Sequence, residues 1–175
     1  IGGEMGHVRV DFSKYAPACD CGGKGHIGAI SSGRGVERMV IDTAKKCPED
    51  FEKSYLHKLV RNTDNLTNKE IVMAIKKNDA FVQNILDQAT FPLACAVAHV
   101  SGNLGVDKFI FIGGFALNVG LPYLESLRRN LVKVDFYNRT KKEIPRLVEL
   151  GINDDNDCLI GGGLLAQKSI HANTL

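Results

Sequence analysis

Between Ser13 and Gly28 the chain is built from Gly, Pro, Cys and Asp with scattered lysines, and it carries neither of the two apolar periods that make regular structure. Helices need apolar residues three and four apart and strands need alternation, so this stretch reads as a loop. A loop of this length has to be held by something other than a core of its own. The means is written inside it as Cys19-Asp20-Cys21-Gly22-Gly23-Lys24-Gly25-His26, a C-x-C-G-x-x-G-H arrangement, with a second histidine, His7, upstream in Gly3-Glu4-Met5-Gly6-His7. Two thiolates and two imidazoles are a sufficient tetrahedral set for structural zinc, and the glycines let the backbone turn back so that all four face one point. Mixed sulfur and nitrogen donors in a closed site favour zinc over magnesium or calcium. The competing reading is a satisfied strand histidine at His7 and two incidental thiols in a turn.

Composition bounds the rest. At 175 residues, 44% hydrophobic and 24% charged, the chain matches one ordinary globular domain over 1–175. No apolar run reaches the roughly 20 residues that span a bilayer. The formal charge is +2, and the basic pairs Lys45-Lys46, Lys76-Lys77, Arg128-Arg129 and Lys141-Lys142 are dispersed among acids. That pattern does not make a phosphate-tracking stripe, so neither nucleic acid nor a membrane is an expected partner of this segment. Five cysteines, an odd number, with no secretory leader point to a reducing compartment, and so to the cytoplasm. Cys47, Cys95 and Cys158 sit in helical or apolar contexts and are expected to be small buried hydrophobes.

Met5, Val8, Val10 and Phe12 alternate as in a short strand. Ser31 and Ser32 are caps for a helix through Val36, Met39, Val40 and Ala44 that ends before Pro48, and residues 53–66 carry a weaker helical signal. Thr67 with Glu70 is a capping box for a short helix through Ile71, Val72 and Ile75. Asp79 caps a long helix whose apolar residues recur from Phe81 to Val100, kinked at Pro92 and ended by Gly102 and Gly105. The run from Lys108 to Ile112 is a buried-type strand terminated by Gly113-Gly114. A helix over 121–132, a strand over 132–137, a helix over 144–150 and a glycine-led helix over 160–170 complete the pattern. Strand alternating with helix in the second half predicts an α/β layer architecture.

Taken in order, GEMGH at Gly3–His7, CDCGGKGH at Cys19–His26, Ser31-Ser32-Gly33, IFIGG at Ile110–Gly114 and GGGLLA at Gly161–Ala166 resemble the ROK family of repressors, uncharacterised reading frames and sugar kinases over nearly the whole chain. The resemblance implies the C-terminal part of an actin-like (ribonuclease H-like) ATPase with a zinc-stapled loop at 13–28. It implies that His7, Cys19, Cys21 and His26 hold zinc, with His26 standing where the family usually has a third cysteine, and that Glu4 and His7 contact sugar hydroxyls. An ionised carboxylate can accept from two neighbouring hydroxyls at once, and a metal-bound imidazole has its orientation fixed. Two positions after His26 the family has a sugar-gripping glutamate, and this chain has Gly28. An altered acceptor is therefore expected, a modified sugar or a sugar-like cyclitol.

The resemblance also places the adenosine of ATP near Gly113, Gly114 and Phe115, where a strand hands over to a loop at the carboxyl edge of an α/β sheet. Phosphoryl transfer needs a phosphate cradle, magnesium and a carboxylate base. The family's kinases resemble other actin-type ATPases in carrying a D-x-G-T loop and an Asn-Asp catalytic pair upstream of GEMGH, and neither stands upstream here. No catalytic residue is assigned within this chain. Asn78-Asp79 imitates the pair but opens an apolar helix, which makes Asp79 a cap. Beginning at Ile1, the sequence reads as a cut piece whose missing N-terminal region would be its partner, and the segment alone is expected to be inactive. Gly161–Gly163 lacks the Lys-Ser or Lys-Thr of a P-loop and suits close helix packing instead. The leading expectation is a carbohydrate kinase using ATP and Mg. The sugar-binding body of a repressor and a non-catalytic zinc-containing relic are the alternatives, and a homo-oligomer stays open.

Overall fold

The computed structural model describes residues 3–134, 139–151 and 157–172, with side chains in the last segment described for 159–168. The first half is a helical body: α1 (Ile27–Ser31), α2 (Gly33–Lys46), α3 (Pro48–Lys53), α4 (Tyr55–Val60), α5 (Asn68–Lys76) and α6 (Ala80–Leu104). Its starts are set by side chains that satisfy the orphan N–H groups of a first turn. Ser32 accepts from the Gly35 N–H at the head of α2, Ser54 accepts from His57 at α4, and Thr67 and Glu70 close the expected capping box at α5. Val36, Val40 and Ala44 of α2 face Val82, Ile85, Leu86, Ala89 and Leu93 of α6 within one core cluster. The long helix runs on through Pro92 and ends at Gly105 in the left-handed region, the conformation expected of a glycine stop.

Asp79 does more than cap. Its Oδ1 accepts from Phe81 N at 2.9 Å and Val82 N at 3.4 Å, and its Oδ2 accepts from Leu56 N at 2.7 Å, so one buried carboxylate joins the starts of α4 and α6. Asp79→Ala strands three N–H donors at once. Hydrogen bonds to a charged group contribute more than neutral ones, and loss of a cap alone costs about 1 kcal/mol, so a stability loss of about 2 kcal/mol is expected from urea unfolding. A midpoint that does not move would show the carboxylate to be dispensable.

The second half is a β-α-β arrangement of β1 (Phe109–Phe111), α7 (Gly114–Val119), α8 (Leu121–Lys133) and β2 (Val148–Leu150), followed by α9 (Asp157–Ala172). β1 and β2 are parallel, in register Phe109 to Val148, Ile110 to Glu149 and Phe111 to Leu150. Parallel strands need a crossover between them, and α7 and α8 supply it. α8 lies along α6 through a buried polar network. The Asn130 amide donates to the Asp87 carbonyl at 2.6 Å and to Thr90 Oγ1 at 2.9 Å, Thr90 shares a hydrogen bond with Ser126, and Ser126 and Arg129 both reach the Asp87 carboxylate. Because every member is partnered, the network sets one register between the two helices. Among the described residues no helix is long and apolar enough to cross a membrane.

Several expectations are corrected. Met5–His7 is a 3-10 turn, and the segment after it makes only the single antiparallel bridge Arg9–His26. The alternation of Val8 and Phe12 misled because both are exposed. Residues 144–150 are not a helix: Ile144–Leu147 form a 3-10 turn and Val148–Leu150 enter the sheet, with Ile144, Leu147 and Val148 buried. A short apolar run of this kind does not distinguish helix from strand by period alone. α8 extends to Lys133 with Val134 as its C-cap, so the first half of the strand expected over 132–137 is helix end instead, and 135–137 lie outside the described residues. Cys47 is exposed at the α2–α3 junction, against expectation. Cys95 is half-buried, which pushes its thiol up, and the Cys158 side chain lies outside the described residues. A Cβ added at Gly161, Gly162 or Gly163 would meet nothing within 4 Å, so the close packing expected there is not found among the described residues.

A candidate metal centre between two clefts

The segment after His7 folds back along the end of the glycine-rich loop. Val10 N and Asp11 N both donate to the Gly25 carbonyl, and Ile27 N donates to the Val8 carbonyl at 3.0 Å. Inside the loop, Cys19 N donates to Gly23 O at 2.8 Å and Ala18 bridges Lys24, making a tight hairpin. Two glycines are required by space. At Gly25, φ is +69° and a Cβ would lie 2.0 Å from the Asp11 carbonyl oxygen. At Gly23 a Cβ would lie 2.4 Å from the His26 ring. Of the side chains from Ser13 to His26, only Ala16 is buried, and it lies outside the main core cluster, so burial contributes little to holding this excursion.

Folded this way, the loop brings together the four side chains singled out by the sequence. One ligand atom from each of His7, Cys19, Cys21 and His26 lies within 4.8 Å of all the others. Cys19 Sγ is 3.8 Å from His7 Nδ1 and Cys21 Sγ is 3.3 Å from His26 Nδ1, with the two imidazoles edge-on at 86°. A zinc ion about 2.3 Å from sulfur and about 2.0 Å from nitrogen spaces tetrahedral ligands roughly 3.3–3.8 Å apart. The donor set and these two sulfur–nitrogen distances fit such an ion.

His7 has two faces. With Nδ1 turned to Cys19, its Nε2 points to Glu4, whose Oε2 lies 4.0 Å away. Glu4 heads the 3-10 turn and its carboxylate is 69% exposed, open to a ligand. Beside it lies a cleft of about 210 Å³ lined by Gly6, His7, Cys19, Gly28, Ser32 and, on the α2 side, Arg34 and Arg38. Arg34 pairs with Asp20, and Arg38 donates to the Ala18 carbonyl at 3.1 Å, so both arginines clamp the loop. A side chain at position 28 would start 3.1 Å from the Gly6 carbonyl oxygen, at the cleft floor. The sequence reading missed Asp20, Arg34 and Arg38. The available signal was the four-residue spacing of the two arginines at the head of a capped helix.

Gly113, Gly114 and Phe115 stand at the end of β1 and the start of α7. Gly113 has φ +108°, a conformation that favours glycine, and this lets the chain leave the strand sharply. Phe115 packs edge-on to Tyr123 at 6.3 Å and rests against Gly33, where a Cβ would lie 3.1 Å from the nearest ring atom. Burial pushes the Tyr123 phenol up to about 12. Gly114 and Phe115 line a second cleft, of about 420 Å³, whose other wall is α5 through Asn68, Lys69, Val72 and Met73. Gly113 is not among its lining residues, and the α5 wall was not anticipated from sequence, since nothing local marks which helix lies across from a glycine pair.

Comparison with known proteins follows this geometry. The ROK family model matches residues 1–169. A C(7)-cyclitol 7-kinase of Streptomyces hygroscopicus subsp. limoneus is 37% identical over 172 residues, which cover 98% of this chain and 49% of that protein. Among solved structures, a ROK family glucokinase from Streptomyces griseus in complex with glucose and AMPPNP superposes with TM-score 0.62 at 22% identity, covering 84% of this chain and 50% of that one. A ROK family transcriptional regulator, a homolog of the E. coli MLC protein, superposes with TM-score 0.61 at 19% identity over 85% of this chain and 33% of its own. The chain thus spans about half the length of this curated relative. With the family model matching 169 of its 175 residues, the chain belongs to the ROK family.

Proposed function

We propose that this chain is the sugar-side and nucleotide-closing portion of a ROK-type kinase that transfers phosphate from ATP to a hydroxyl of a sugar-like cyclitol. The observation that carries this reading is the Glu4 carboxylate set beside His7, which itself lines the first cleft and whose other nitrogen faces the Cys/His cluster. Zinc held by His7, Cys19, Cys21 and His26 is structural in this account: it would hold the loop and fix the His7 ring. Glu4 and His7 would then present one acceptor and one oriented ring nitrogen to neighbouring hydroxyls. ATP lies in the α5–α7 cleft, its adenosine against Gly114 and Phe115. Because Phe115 rests on Gly33 at the head of α2, one ring touches both the nucleotide cleft and the helix that borders the acceptor cleft. Magnesium, the phosphate cradle and the carboxylate base belong to the part of the relatives that this chain does not span, so the 175 residues alone are expected to be inactive.

The fold by itself supports a regulator equally, since the two structural likenesses differ by 0.01 in TM-score, 0.62 against 0.61. The 37% likeness to a cyclitol kinase along 98% of the chain favours the enzyme. Gly28 favours a cyclitol over an aldose, because a hydroxyl that a glutamate would bind has no partner there. The test is turnover of ATP by the full-length protein with C7 cyclitols and with glucose. Cyclitol phosphorylation exceeding that of glucose is expected, and no turnover with any polyol would overturn the reading. Gly28→Glu should raise kcat/KM for glucose about tenfold, the worth of one good hydrogen bond, once the Gly6 carbonyl gives way by a few tenths of an ångström.

A further inference from the structure

We infer that Asp20 and Arg34 act as a pair that reads two vicinal hydroxyls of the acceptor, one hydroxyl donating to the Asp20 carboxylate while its neighbour accepts from the Arg34 guanidinium. The inference rests on the reading of the cleft beside His7 as the acceptor site and deepens it by naming residues that select among polyols. Both side chains line that cleft, Asp20 from the hairpin and Arg34 from the first turn of α2, and they meet as an ion pair. Asp20 is the only carboxylate among the described residues lining it, and Gly28 on the floor supplies no side chain.

The other polar side chains of the cleft are committed elsewhere. Ser32 accepts from Gly35 N at 3.2 Å as the cap of α2, Arg38 donates to the Ala18 carbonyl at 3.1 Å, and His7 and Cys19 belong to the Cys/His cluster. Holding the hairpin does not account for the remaining pair. The Asp20 and Arg34 side chains are 67% and 78% exposed, and an ion pair screened by solvent adds little to stability, while the Arg38 bond already ties the hairpin to α2. Each partner nevertheless springs from a fixed base. Asp20 stands between the candidate ligands Cys19 and Cys21, in a turn closed by Gly22 N donating to the Cys19 carbonyl at 3.0 Å. Arg34 leaves a helix start packed so closely that a Cβ at Gly35 would lie 2.4 Å from the Ile30 carbonyl oxygen.

The chemistry of the pair names what it reads. One guanidinium nitrogen of Arg34 meets one carboxylate oxygen of Asp20, Oδ2. A carboxylate keeps lone pairs for further donors and a guanidinium has five N–H groups, so the pair still offers an acceptor and a donor side by side. Vicinal ring hydroxyls present the complement, because each hydroxyl both donates and accepts. A methylene in place of either one leaves half of the pair unmatched, and a site built to bind a hydroxyl discriminates strongly against the analogue that lacks it.

The experiment is steady-state kinetics of the full-length protein at saturating ATP, with a C7 cyclitol and its single-deoxy analogues as acceptors, for the native protein, Asp20→Asn, Arg34→Gln and Glu4→Gln, with zinc content measured on each. The native protein should lose about tenfold in kcat/KM when either hydroxyl of one vicinal pair is removed. Asp20→Asn should raise the KM for the parent cyclitol about tenfold, with the KM for ATP and the metal content unchanged, and should become indifferent to the loss of one of those hydroxyls. Arg34→Gln, which lies outside the hairpin and decides alone if Asp20→Asn sheds metal, should become indifferent to the loss of the neighbouring one. A slackened hairpin would weaken every acceptor alike and would not give that pairing of variant with hydroxyl. If Glu4→Gln weakens the acceptors while Asp20→Asn and Arg34→Gln leave the cost of every deoxy substitution at its native value, the site is right and the pair is only a surface salt bridge. If none of the three variants alters acceptor use, the acceptor site itself is misassigned and the inference falls with it.

Discussion

Cys21→Ser should abolish binding of the zinc proposed for the Cys/His cluster, and with it the order of residues 13–26. Elemental analysis is expected to find about one zinc per chain in the native protein and close to none in the variant, since a hydroxyl is a poor substitute for a thiolate in this set. Apparent binding free energies of structural zinc reach about 10–16 kcal/mol in small domains where metal and fold are one equilibrium. Here the consequence should be local. Among the side chains of the hairpin only Ala16 is buried, outside the main core cluster, whereas α6 and α8 are joined by their own apolar contacts and polar network. Hydrogen exchange should therefore accelerate to nearly unfolded rates across 13–26 while the middle of α6 stays protected. Native protein that carries no tightly held transition metal, or a variant that keeps it, would defeat the assignment of the cluster.

In the full-length protein, Glu4→Gln should lower kcat/KM for the acceptor about a hundredfold while leaving the KM for ATP alone. The substitution preserves shape and removes charge. A carboxylate can accept from two hydroxyls, and hydrogen bonds to a charged group are worth about 1.5–3 kcal/mol each, so exchanging one oxygen for an NH2 that can only donate costs about 2.7 kcal/mol, or two decades. Glu4 is exposed and, among the described residues, its side chain has only His7 within ion-pair range, so unfolding should be little affected. Acceptor kinetics indistinguishable from native would remove Glu4 from the binding site and, with it, the main support for a polyol substrate.

Features that depend on residues a few positions apart were legible without coordinates. Thr67 with Glu70, Asp79 before an apolar run, and Gly105 after it each act within one turn of helix, and each stands where the pattern placed it. The donor set of the cluster was legible for a related reason: three of its four members lie within the eight residues Cys19–His26, and sulfur beside imidazole is unusual enough to name a metal class. Met5–His7 and 144–150 failed where the pattern was short. An alternation over a few residues says that a chain is extended or turning and leaves open what it pairs with, and at Val148 the deciding partner was Phe109, far back along the chain.

Neighbourhoods were the part that order along the chain could not supply. That α5 stands across from Gly114 and Phe115, that Gly33 makes room for the Phe115 ring, and that Arg34 and Arg38 grip the loop follow from how helices pack, which depends on the summed shape of many side chains. Identity of donors and starts of helices are local chemistry written in residue type. Which surfaces face each other across a cleft is a collective outcome of burial, and only the folded chain decides it.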